Sequence, residues 1–212
     1  MLAAKYDDSM SMGSFDERAA TWDDPAKRER AEAVGRAISA VVSLDQSMRM
    51  LEYGAGTGLV TQALRDSVGP VTMADTSAGM RDVMERKVAS GVIRDARIWD
   101  LDLASQPAPD ERFELVVTVM ALHHVSRLEP VLAGFASLLV DGGHLCIVDL
   151  EEEDGSFHGH DFDGPHGFGH TALASSLHRA GFTGVEFQPC HRVIRDGITY
   201  PLFLATCTRH TS

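Results

Sequence analysis

Short apolar runs alternate along this chain with longer stretches whose apolar residues recur every three or four positions. Met48 to Tyr53, Val71 to Ala74, Ala96 to Trp99, Glu114 to Val119 and His144 to Asp149 read as strands. The run from Glu114 is nearly all apolar, as expected of a strand covered on both faces. Between these runs, Thr57 to Ser67, Ala78 to Ala89 and Leu128 to Val140 carry helical spacing, and Asp141-Gly142-Gly143 stops the last. Upstream, Asp24-Pro25 opens a helix with an N-cap acid and a proline at the first helical position. Ala31, Val34, Ile38, Val41 and Val42 give that helix one apolar face, and Asp16 to Trp22 reads as a shorter helix before it. The first fifteen residues are polar and methionine-rich, and are expected to be poorly ordered.

Strands alternating with helices imply a mainly parallel sheet with helices on both faces. The end of the chain breaks the rhythm. Thr171 to Ala180 reads as a helix ended by Gly181. Val185 to Ile194 and Thr199 to Thr208 are then strands joined only by Arg195-Asp196-Gly197-Ile198. Asp-Gly between strand-like runs signals a hairpin, and so short a link forces antiparallel pairing. The expected fold is α/β: a doubly wound sheet, mostly parallel, closed by an antiparallel hairpin.

Composition narrows the class. A chain of 212 residues suits one hydrophobic core, so a single domain over 1–212 is expected, with 1–45 as an N-terminal helical cover. The net charge of −12 opposes nucleic acid as a partner. No apolar run reaches the roughly 20 residues that span a bilayer, and no signal peptide is evident at the start, so a cytoplasmic protein is expected. Cys146, Cys190 and Cys207 lie far apart and read as reduced thiols. The state of assembly stays open between a monomer and a homodimer, the latter through the exposed edge of the hairpin.

Leu51-Glu52-Tyr53-Gly54-Ala55-Gly56-Thr57-Gly58 carries the strongest chemical signal. A strand that turns sharply into a helix needs residues without Cβ where the backbone bends and a ligand approaches. The following helix aims unpaired N–H groups at the turn. In an open parallel sheet, ligands sit at the carboxyl ends of the strands. Those ends hold Glu52 through Gly58, Asp75-Thr76-Ser77, Asp100-Leu101-Asp102, Met120 to His124 and Asp149 to Glu151. An acid after the second strand suits two ribose hydroxyls, and one after the third an exocyclic amine. The rival ligand is a dinucleotide, whose fingerprint is Gly-x-Gly-x-x-Gly; here the third glycine comes one place early.

With these residues in place, the chain resembles class I S-adenosylmethionine-dependent methyltransferases over nearly its whole length. Glu52 to Gly58 matches that family's first motif, Asp75 its ribose-binding acid and Asp100-Leu101 its adenine-contacting pair. Leu138 to Gly143 resembles its entry to the fifth strand, with Asp141 in place of the usual proline. The resemblance implies a Rossmann-like seven-stranded sheet and S-adenosyl-L-methionine as cofactor. It implies cofactor contacts from Trp22, Glu52, Tyr53, Gly54, Ala55, Gly56, Thr57, Gly58, Asp75, Thr76, Ser77, Met80, Asp100, Leu101, Met120, Ala121 and His123. Phe15 to Asp23 and Glu153 to His158 look like a small-molecule branch of the family, which names no substrate. Trp22 belongs either to the core or to a lid over the cofactor.

The expected activity is methyl transfer to a small-molecule acceptor. The alternative is a non-catalytic S-adenosylmethionine-binding or accessory protein. His124, beside the expected methyl position, is the leading candidate for a general base. His158 and His166 are candidates for orienting the acceptor. His158, His160, His166 and His170 with Asp161 and Asp163 suggest a metal site less than they suggest a loop over the acceptor, so no metal is expected. The place after the fourth strand reads Met120-Ala121-Leu122-His123, not Asn/Asp-Pro-Pro-Tyr, and the sequence has no asparagine. That counts against methylation of adenine or glutamine nitrogens.

Overall fold

A computed structural model describes residues 12–159 and 162–210. It places seven strands in one sheet, in the order β3-β2-β1-β4-β5-β7-β6. The strands are β1 Met50–Tyr53, β2 Val71–Ala74, β3 Ala96–Trp99, β4 Phe113–Val119, β5 Leu139–Leu150, β6 Phe182–Arg195 and β7 Ile198–Arg209. β1 to β5 pair in parallel, while β7 runs antiparallel to both β5 and β6. The order reverses at β1, which pairs with β2 on one side and β4 on the other. A crevice opens at such a switch point, at the carboxyl ends of the strands.

The helices are α1 Met12–Arg18, α2 Pro25–Val41, α3 Leu59–Leu64, α4 Ala78–Ala89, α5 Leu128–Leu138 and α6 His170–Arg179. Alternation along the strands sorts side chains between two buried layers. Met50, Met73, Leu115 and Val117 face α2, α3 and α4 through Val34, Ile38, Leu64 and Met84. Leu51, Val116 and Ile147 face α5 and α6 through Val131, Phe135, Leu173 and Leu177. β1 and β2 are buried at every position, as strands covered on both faces must be.

Several element ends differ from those expected, each for a local reason. The helix after the glycine turn starts at Leu59, because Gly58 at its N-cap sits at φ +77°, outside helical space. The helix from Leu128 ends at Leu138, and Leu139 already pairs with Phe113 ahead of an irregularity in the ladder, so β5 starts earlier than His144. The closing strands extend to Phe182–Arg195 and Ile198–Arg209, with only Asp196 and Gly197 between them, both at positive φ (51° and 81°). That is the backbone a tight hairpin demands. The short N-terminal helix splits into α1 and a 3₁₀ turn over Ala19–Thr21. The expectation of disorder falls largely on residues 1–11, outside the described residues; from Met12 the chain is helical. Asp24 caps α2 by accepting from the Lys27 N–H at 2.8 Å.

Cys146 and Cys207 are buried free thiols and Cys190 is half-buried. Among the described residues, no helix is long and apolar enough to cross a membrane.

Candidate active site

A cavity of about 640 Å³ opens at the carboxyl ends of β1, β2 and β4. That volume lies within the usual range for small-molecule sites. Its floor is the glycine turn. Gly54 and Gly56 adopt φ +68° and +55°, the left-handed region that L side chains avoid. A Cβ at Gly54 would run into the Ala121 side chain. Gly58 does not line the cavity: a Cβ there would lie 2.7 Å from Met73 Sδ and 2.9 Å from Ile93 Cδ1. The third glycine therefore lets α3 pack on β2, and the first two shape the cavity.

A buried carboxylate, Glu52, and a half-buried one, Asp75, flank the turn. Glu52, 2% exposed, accepts from the Thr61 N–H at 2.8 Å and the Thr61 hydroxyl at 2.5 Å. Burial pushes its pKa up to about 7 against the pull of those bonds. Asp75 accepts from the Gly56 N–H at 2.7 Å and the Ser77 N–H at 2.9 Å, and burial raises its pKa as well. Each Asp75 oxygen thus keeps a lone-pair direction for a further donor.

The N-terminal segment packs over the mouth. The Asp16 carboxylate accepts from the Ser77 hydroxyl (2.5 Å) and the Gly79 N–H (2.8 Å), tying α1 to the start of α4. These bonds hold the Asp16 carboxyl below its ordinary pKa. Asp23 accepts from the Thr57 hydroxyl and pairs with Lys87 at 2.7 Å, and Lys87 donates to the Thr57 carbonyl at 2.7 Å. The turn before α2 is so clamped to the glycine turn. Phe15 and Trp22 line the cavity with their rings 5.7 Å apart, and Phe15 meets His124 edge-on at 5.3 Å.

Of the residues expected at the site, the cavity brings together Trp22, Glu52, Tyr53, Gly54, Ala55, Gly56, Thr57, Asp75, Thr76, Ser77, Met80, Leu101, Met120, Ala121 and His124. Asp100 does not line it: its carboxylate is largely exposed and pairs with Arg81 at 3.0 Å, while Asp102 faces the cavity. Met120 lines the wall at φ +53°, rare for a side chain of its size.

The histidines divide differently from the expected grouping. His124 lines the cavity. Burial first, and then its two histidine neighbours, depress its pKa to about 2, so it stays neutral. His123, expected to touch the cofactor, is turned inward, 1% exposed, with Nδ1 2.5 Å from Asp149 Oδ1. Asp149 is itself fully buried and accepts from the backbone N–H groups of Leu122 (3.1 Å) and Leu150 (2.8 Å). His158 is buried behind the cavity wall, and burial lowers its pKa to about 4. His166 lies beyond Phe162, 3.6 Å from Glu153 Oε1, and is partly exposed. His170 stacks on Phe187 at 4.2 Å and pairs with Glu151 at 2.8 Å. His160 and Asp161 lie outside the described residues.

Further lining groups went unread in the sequence. Lys27 and Arg30 reach the cavity from α2, and Phe162, Asp163 and Gly164 close it from a distant loop. The Lys27/Arg30 spacing on one helix face was a usable signal. The loop is the one expected over the acceptor from its histidines and acids, but which of its residues reach the cavity is set by the tertiary fold.

The comparisons agree with this architecture. Residues 26–186, more than half of the chain, match a family described as "methyltransferase domain". The biotin biosynthesis bifunctional protein BioCD of Bordetella avium is 32% identical over 130 residues, covering 60% of this chain and 27% of that protein. The ubiquinone/menaquinone biosynthesis C-methyltransferase UbiE of Stutzerimonas stutzeri is 31% identical over 108 residues, covering 49% of this chain and 42% of that protein. The chain thus spans less than half the length of these relatives. Among solved structures, the N-methyltransferase NodS from Bradyrhizobium japonicum in complex with S-adenosylhomocysteine superposes with a TM-score of 0.71 at 18% identity, covering 93% of this chain and 97% of that one. On the family match, with the fold in agreement, the chain belongs to the class I S-adenosylmethionine-dependent methyltransferase family.

Proposed function

We propose that this chain transfers a methyl group from S-adenosylmethionine to a small-molecule acceptor. The observation that carries the reading is the conjunction, in one cavity, of the Gly54/Gly56 bend, the Asp75 carboxylate with open lone pairs, and a wall built by Met120, Ala121 and His124. Bound there, the cofactor supplies an electrophilic methyl on a sulfonium, so the hard chemistry is its own.

The chain's residues would do the rest. Asp75 would hold the ribose hydroxyls, and Leu101 with Asp102 would bound the adenine. Glu52, buried, and Asp75, half-buried, give the cavity two carboxylates with raised pKa values, and a cationic ligand would favour their ionised forms. Arg30 and Lys27 would meet the ligand's carboxylate or an anionic acceptor. Phe15, Trp22 and Phe162 present aromatic surface that would exclude water and hold the acceptor in line. Orientation of this kind can contribute up to roughly 7–11 kcal/mol in favourable cases.

His124 is the histidine we place against the acceptor, by a lone pair on a neutral ring. A pKa of about 2 makes it a poor proton acceptor near neutral pH, so its contribution is contact and orientation more than proton removal. The acceptor's own nucleophile then needs an available electron pair, as an amine, a carbanion equivalent or an ionised oxygen.

The test is methyl transfer from labelled cofactor across a panel of amine, phenol, carboxylate and thiol acceptors, beside calorimetry with S-adenosylhomocysteine. His124→Ala should lower turnover by about 10²–10³ while leaving S-adenosylhomocysteine affinity near wild type. Binding without turnover on any acceptor would favour an accessory protein. No binding by a folded chain would sink the reading.

A further inference from the structure

At the cavity wall, His123, His124 and His158 each turn a ring nitrogen toward the other two. One ligand atom from each lies within 4.8 Å of the others. Their ring centroids are 4.1, 5.0 and 5.0 Å apart. Three imidazoles do not gather in the interior for their own sake: each buries polar nitrogens that must find partners. Here one does not. His158 is 7% exposed, and neither its Nδ1 nor its Nε2 has a hydrogen-bond partner among the described residues.

The neighbourhood of His123 completes the pattern. Its Nδ1 lies 2.5 Å from the buried Asp149 carboxylate, which already accepts backbone N–H groups and is best matched by an N–H. That fixes the tautomer and leaves a lone pair on Nε2. A carboxylate bonded to the far nitrogen of a histidine is the usual support of a metal ligand.

The elements hold this geometry. His123 and His124 sit on a 3₁₀ turn over Leu122–His124, at the end of β4. The loop carrying His158 is anchored by Phe157 N–H to Glu153 (3.1 Å), Ser156 to the Tyr200 hydroxyl (2.9 Å) and Gly159 N–H to the Gly155 carbonyl (3.0 Å). Phe162 stacks on His158 at 4.1 Å.

We propose that His123, His124 and His158 form a binding site for one divalent first-row transition ion, with zinc as the reference ligand. Three neutral imidazole nitrogens without a thiolate suit zinc, and also cobalt, nickel and copper, but not magnesium or calcium. Three protein ligands leave a coordination position open, and the cavity-lining His124 puts that position beside the place assigned to the acceptor. Its use in methyl transfer rests on the function proposed above; the binding of the ion does not.

The test uses the full chain without a histidine tag, stripped with chelator and titrated with zinc against a chromophoric competitor. Wild type should bind a single equivalent with a Kd below about 1 µM. His158→Ala should weaken it at least ~100-fold, and Asp149→Asn, which keeps the shape but loses the carboxylate, ~10–100-fold. Cobalt(II) should give the visible absorption of a nitrogen-rich low-coordinate site, lost in His158→Ala. His178→Ala, on the outer surface of α6, should bind as wild type. Circular dichroism and S-adenosylhomocysteine affinity, measured without metal, report whether each variant is folded; should His158→Ala not fold, His158→Gln takes its place. Failure of S-adenosylhomocysteine binding would count against the methyltransferase reading and leave the metal titration standing. No zinc binding by folded wild type, or equal binding in a folded His158 variant, overturns the site.

Discussion

Glu52 shows how one buried acid sets a pH dependence. It lies at the end of β1, bonded to Thr61, with burial raising its pKa from an ordinary 4.5 to about 7. Between those values the folded chain holds a proton that the unfolded chain has released. Stability must therefore fall as pH rises from about 4.5 through about 7, with a slope of up to about 1.4 kcal/mol per pH unit from this group. Glu52→Gln keeps an acceptor for Thr61 and removes the titration. Urea denaturation from pH 5 to 8 should show a flatter profile in the variant; an unchanged slope would place the cause elsewhere. Gly58 makes a complementary case, because its role is packing. Alanine there meets a left-handed φ and the Met73 and Ile93 side chains together. Gly58→Ala should cost about 2–4 kcal/mol of stability. S-adenosylhomocysteine affinity of the folded fraction should hold, since Gly58 does not line the cavity; a parallel loss of affinity would give it a cofactor role instead.

At the scale of elements, the N-terminal helix matters most. α1 is held to α4 through Asp16, while Phe15 and Trp22 reach over the cavity mouth. If this segment acts as a lid, release of a bound ligand requires those bonds to open. Asp16→Ala should then speed S-adenosylhomocysteine dissociation several-fold in stopped-flow measurements, with little change in association. An unchanged dissociation rate would leave α1 a packing element. The elements themselves were legible where local signals were strong. β2, α4 and β3 fall where periodicity put them, and Asp24-Pro25 marked the start of α2. The ends of α3 and α5 were not, because a left-handed Gly58 and an early pairing of Leu139 are tertiary facts. The site divides in the same way. Glu52, Gly54, Gly56 and Asp75 follow from strand-end position, so sequence suffices. The inward turn of His123 depends on Asp149 of the neighbouring strand, and Asp102 in place of Asp100 depends on how the chain leaves β3.

At the scale of the whole molecule, the cavity is a joint between parts distant in sequence. Its lining comes from the N-terminal segment and α2, the ends of β1, β2 and β4, and the loop at Phe162 to Gly164. Tyr53 and Leu101 belong to one buried layer of the sheet, and Ala55 and Val60 to the other. A ligand seated there touches both layers at once and is lost on unfolding, so its binding free energy adds to global stability. At about 100 times its Kd the gain is about 2.7 kcal/mol. For a domain of this length that corresponds to a rise in Tm of about 5–11 °C. S-adenosylhomocysteine should produce such a rise in a scanning calorimetry trace, as one shifted transition, and NAD at the same concentration should produce none. A shifted partial transition would mean that the ligand holds only the N-terminal segment or the loop. An equal rise with NAD would mean that the glycine bend and Asp75 recognise a nucleoside without regard to what it carries, and the sulfonium assignment would fall while the fold assignment stood.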